Sequence, residues 1–79
     1  VVPMADLDAE VNAWVADILN AAPLSLRAIK ALVRETPDMP VHEAFKRQTP
    51  ELILALNSED ANEGVAAFRE KRLPIWKGR

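Results

Sequence analysis

The residues best placed to do chemistry lie near the C-terminus. Ala61, Gly64, Phe68 and Lys71 follow spacings of three, four and three, so a helix there would carry all four on one face. Small side chains at 61 and 64 admit another surface, Phe68 offers an aromatic plane, and Lys71 places a mobile ammonium one turn further on. An aromatic beside a cation can receive a nucleotide, ring against base and ammonium against phosphate. An ordinary core phenylalanine next to a solvated lysine gives the same pattern, and is its commoner origin. Residues 69–79 add a local excess of base, five Lys or Arg against one Glu, in a chain whose net charge is -2.

Other chemistry is harder to assemble. His42 is the only histidine, beside Pro40 where a helix should start, and no carboxylate at ligand spacing joins it. Glu59, Asp60 and Glu63 could form a carboxylate cluster for proton transfer; the first turn of a helix reads better as the home of solvated acids favoured by the dipole. Ser25 and Ser58 stand where helices begin, which suits capping rather than nucleophilic attack. Arg27, Lys30 and Arg34 make a basic stripe whose default is a solvated helix face. No glycine-rich phosphate loop is possible with Gly64 and Gly78 as the only glycines. The expectation is therefore no catalytic residue and no metal site.

Seventy-nine residues allow one small domain, which buries only about 60% of its unfolded surface. The absence of cysteine excludes disulfides, thiolate metal sites and thiol nucleophiles. A net charge of -2 argues against a general polyanion or nucleic-acid binder. An apolar fraction of 49% is too high for a disordered chain. No apolar run approaches the ~20 residues of a membrane span, and no basic region opens a secretory signal. The chain starts at Val1 without an initiator methionine and reads as a piece of something longer.

The elements that must position these residues are helices. Thirteen alanines and nine leucines stand against two glycines and no tyrosine, and the expected fold is all-α: a small bundle of three to four helices with an extended C-terminal tail. The first helix should run from Leu7 to Ala21 with Asp6 as N-cap, its apolar stripe built from Leu7, Val11, Trp14, Val15, Ile18 and Leu19. Trp14 reads as a core or interface anchor. Pro23 suits the first turn of a second helix, which Thr36-Pro37 ends. A third begins near Pro40, and Pro50 either kinks it or splits it into 41–48 and 50–57; a continuous bent helix is the expectation. Ser58 caps a fourth helix, acids first and bases last, and Pro74 stops it.

The last 22 residues then resemble a known pattern. From Ser58 to Gly78 the chain reads S-x-D-A-x-E-G-x-x-A-F-x-E-K-R-x-P-x-W-x-G, similar to the C-terminal signature of the crotonase (enoyl-CoA hydratase/isomerase) superfamily. Ala21 to Lys30 is similar to a helix start of that family, and Val1-Val2-Pro3 to the end of its last core strand. The resemblance implies an acyl-CoA enzyme whose core of repeated ββα turns, with its oxyanion hole and carboxylates, is absent from these residues. It implies that residues 1–79 are the C-terminal helical domain that joins subunits into trimers, often paired as hexamers, and closes the acyl-CoA site. It implies further that Phe68 and Lys71 lie near the adenine and phosphates of coenzyme A; Arg72 is either a second phosphate contact or a structural ion-pair partner, and the latter is the expectation. The reaction implied by default is hydration of an enoyl-CoA, with the coenzyme A thioester as substrate of the parent. The compartment would be the cytoplasm, or the mitochondrial matrix for a eukaryotic parent.

A rival reading is a free-standing helical adaptor anchored by Trp14, Phe45 and Trp76. Under the first reading the partners are the chain's own core domain, neighbouring subunits and acyl-CoA, with no nucleic acid and no membrane. The chain alone should expose an apolar face and associate with itself.

Overall fold

The computed structural model describes residues 1–79. It is all-α, without a strand. After a 3-10 turn at Met4–Asp6 come α1 (Leu7–Leu19), α2 (Pro23–Glu35), α3 (Val41–Lys46), α4 (Pro50–Leu56) and α5 (Glu59–Glu70), followed by an extended tail. No helix is long and apolar enough to cross a membrane.

Local chemistry explains most boundaries. Pro23 opens α2, where its missing N–H costs nothing. Thr36 closes that helix without leaving the helical region; its hydroxyl donates 2.7 Å to Leu32 O instead. Asp6 precedes α1, but its side chain makes no capping bond, because the preceding 3-10 turn has already drawn its backbone into the helical region. Val1–Pro3 form no strand.

The expected continuous third helix is instead two. Thr49 is extended, at φ -84° and ψ 157°, as a residue before proline prefers, and its buried hydroxyl accepts from Leu52 N at 3.1 Å. Pro50 therefore occupies the first turn of α4, where it breaks nothing. Arg47 closes the corner by pairing with Glu35 at the end of α2, with its Nη2 2.6 Å from the carboxylate.

What core exists lies between α2 and α4, where Leu24, Ala28 and Ala55 are buried and Leu52 packs against them. Nothing on α1 is buried. The molecule is a thin plate of 43 × 38 × 18 Å with a radius of gyration of 15.9 Å, where a compact chain of this length has about 11.6 Å. Its accessible surface of 6726 Å² exceeds by about 40% that of a compact monomer of the same mass.

Candidate functional site

The signature residues are organised around the start of α5. Ser58 joins α4 to α5: its hydroxyl donates to Ala55 O at 2.7 Å and accepts from Ala61 N at 3.0 Å. Two residues on, Asp60 is only 2% exposed. Its two carboxylate oxygens accept from the amides of Lys77 (2.7 Å) and Gly78 (2.8 Å), and its own amide donates to Arg79 O at 3.0 Å. One turn later Glu63 accepts both terminal nitrogens of Arg72, at 2.6 and 3.0 Å, and the amide of Ile75 at 2.9 Å. The tail thus doubles back along α5 and is held through its backbone by two carboxylates.

Further contacts complete the clasp. Arg72 Nε donates to Glu70 at 2.6 Å, and Glu59 pairs with Lys77 and Arg79 at 3.2 and 3.5 Å. The Trp76 ring lies against Gly64, where an added Cβ would stand 3.3 Å from it. Its indole N–H donates to Asn20 O at 2.9 Å, tying the tail to the end of α1. Between α5 and the tail runs an open groove of about 540 Å³, lined among others by Asn62, Ala66, Arg72 and Lys77.

These contacts set the local ionisation. The Arg72 guanidinium, followed by the Ile75 amide, holds the Glu63 carboxyl down at about 2 from an ordinary 4.5. Glu59 is lowered as well, first by its hydrogen bond to Lys77 and then by the charge of Arg79. Arg72 is pushed upward by Glu63 and then Glu70. Its role as a structural ion-pair partner is what the geometry displays.

Two readings of the residues need correcting. The acids at 59, 60 and 63 are not a solvated first turn: Asp60 is buried, and Asp60 and Glu63 bind the tail. A signal was available, since these acids precede a tail of opposite charge, but nothing in helical spacing says that the tail returns. Trp14 is likewise no core residue; it is 65% exposed and its indole bonds only to Glu10 one turn back, at 2.9 Å.

Phe68 and Lys71 do not share a helical face, because α5 ends at Glu70, four residues before Pro74. Lys71 takes the left-handed conformation, φ 54°, and ψ 41°. Its amide donates to Phe68 O at 3.3 Å and that of Arg72 to Ala67 O at 3.0 Å, the paired bonds of a Schellman turn. Phe68 on the last turn is 88% exposed, and the Lys71 side chain bonds to nothing in the chain. The two are therefore neighbours across a turn, both facing outward from the clasp.

The remaining candidates stay apart. The His42 ring is 76% exposed and 3.9 Å from Glu43. No group of three or more His, Asp or Glu is placed to hold a metal. Arg27, Lys30 and Arg34 line a shallow surface groove that also holds Glu51.

No protein-family profile matches the chain. It is 41% identical, over 83 aligned positions, to the carnitinyl-CoA dehydratase of Escherichia coli K12, covering all of this chain and 32% of that protein. Among solved structures it superposes on an enoyl-CoA hydratase from Bacillus anthracis with a TM-score of 0.89 at 25% identity, over 100% of this chain and 31% of the other. The enoyl-CoA hydratase of Mycobacterium tuberculosis H37Rv gives 0.80 at 33% identity, with the same 100% and 31% coverage. The chain spans about a third of the length of the relatives it matches.

Proposed function

Because this chain is the C-terminal helical part of an enoyl-CoA hydratase/isomerase-type protein, we propose that it closes the acyl-CoA site of that protein and joins its subunits, while the proton transfers are done elsewhere. One observation carries the reading. Of the charged and aromatic residues in the signature, Asp60, Glu63, Glu70, Arg72 and Trp76 are bonded within the clasp, whereas Phe68 and Lys71 face outward without a partner. An exposed aromatic ring and an unbonded ammonium three residues apart at one turn suit the adenine and phosphates of coenzyme A. The surface in excess of a compact monomer, including all of α1, supports a role in joining this part to its own core and to neighbouring subunits.

The parent reaction in this reading is addition of water to a trans-2-enoyl-CoA through an enolate. The dehydratase named among the relatives is named for the reverse direction of such chemistry. The chain itself holds the ligand and the interface but supplies no acid or base. The relatives named above are bacterial, which favours the cytoplasm over an organelle.

The test is kinetic, in the intact protein with crotonyl-CoA, following loss of the conjugated thioester absorbance. Phe68→Ala and Lys71→Gln should each raise KM about tenfold, the worth of one stacking or charge-assisted contact, with kcat changed less than twofold. An unchanged KM in both variants would remove the coenzyme contact from this region. A fall in kcat alone would place Phe68 and Lys71 in the chemistry instead.

A further inference from the structure

Lys71 is the one non-glycine residue with a positive φ. A helix that ends in this geometry ordinarily does so on glycine, because a side chain crowds the following carbonyl. A lysine held there needs surroundings that over-determine its backbone. They are supplied by the next residue. The Arg72 guanidinium reaches Glu70 on one side of Lys71 at 2.6 Å and, one to two turns back along α5, Glu63 at 2.6 and 3.0 Å. Glu63 also accepts the amide of Ile75, so the chain beyond the turn is pinned to the same carboxylate. Lys71 thus stands between two anchored segments while its own ammonium remains unbonded.

From this geometry, and resting on the coenzyme contact proposed above, we infer that Arg72 is a positioning residue: by bridging Glu63 and Glu70 it holds Lys71 in the left-handed turn and directs its ammonium toward the phosphates of a coenzyme A ester. Arg72 does not touch the ligand; three of its hydrogen bonds go to the carboxylates of Glu63 and Glu70, and a fourth goes to Leu73 O at 3.3 Å. Were the turn to relax, Lys71 would continue the helix, about 100° around the axis from Glu70, and its ammonium would leave the side on which the turn now presents it.

The experiment uses the intact protein and butyryl-CoA, a saturated ester that cannot be hydrated, with binding read by calorimetry. Lys71→Gln should weaken binding about tenfold, as loss of one charge-assisted contact does. Arg72→Ala should weaken it to a similar degree, and the double variant no further than either single, since both remove the same contact. The backbone coupling constant of Lys71, which reports φ, should shift in Arg72→Ala. If that variant fails to fold, Arg72→Lys takes its place: it keeps the charge but cannot span both carboxylates, and should show the same loss. Single losses that multiply in the double variant, or an Arg72 variant that binds normally while Lys71→Gln does not, would overturn the positioning role and leave the coenzyme contact standing. Normal binding by Lys71→Gln would overturn the contact, and the positioning role with it.

Discussion

The two ends of this chain are organised on opposite principles. α5 and the tail form a polar clasp, in which side-chain carboxylates take backbone amides twelve to eighteen residues away, and a guanidinium ties the turn between them. α1 carries the most regular apolar stripe in the sequence, yet Leu7, Val11, Trp14, Val15 and Ile18 all remain exposed. The stripe is longer than anything the chain has to set against it, since the buried apolar side chains of α2 and α4 are satisfied by each other. Polar pairs can be completed within a thin plate because a few directed bonds suffice. An apolar face needs area on its far side, and this chain offers α1 none.

The clasp is most vulnerable at Asp60. Replacing it with alanine leaves the Lys77 and Gly78 amides without their acceptor, at a cost of about 3 kcal/mol for two hydrogen bonds to a charged group. Urea unfolding should show the loss, and hydrogen exchange should find both amides unprotected. Normal protection would mean that the tail is held by something other than this carboxylate.

The next test is acid. Glu63 is lowered from 4.5 to about 2 in the fold, so its contribution is fully present above pH ~4.5 and disappears as pH falls toward 2. Glu59, lowered as well, adds in the same direction. Trp76 fluorescence and exchange at the Ile75 amide should therefore change between pH 5 and about 2, with α2 and α4 responding later. Simultaneous loss of all elements would show the clasp and the α2–α4 core to be one cooperative unit.

The smallest effect on stability belongs to α1. Val11→Asp should change unfolding of the chain by less than about 0.5 kcal/mol, because the residue is 49% exposed and packs against nothing that stabilises the fold. Its effect should appear in association. The 79-residue chain should sediment as a dimer or trimer, and the variant should move toward the 8.8 kDa monomer. A wild-type chain that stays monomeric at high concentration would show that its exposed stripe does not drive self-association.

What was legible in the sequence was mainly local. Pro23 at the start of α2 and Ser58 at the start of α5 are found where they were expected, because a cap needs only the next three or four residues. The division at Pro50 was also written locally, as Thr49-Pro50-Glu51, a cap followed by a first-turn proline and acid. It was obscured by an apolar periodicity that runs through both helices. Pro74 set an outer limit to α5, but the turn at Lys71 gave no signal, since a lysine in the left-handed region looks like any other lysine. Phe68 and Lys71 were found as candidates by a spacing that the structure does not keep; a backbone bond across a turn links them instead.

Residue order alone made it legible that the chain is helical, where most of its helices start, and which family its last 22 residues resemble. Each of these follows from neighbours within a turn or from the order of residue types. It took the folded chain to show that the acids of α5 hold the tail, that Lys71 is turned out of the helix, and that α1 is left uncovered. Those outcomes depend on which distant groups meet, and a one-dimensional pattern records what a residue can bond to but not what reaches it.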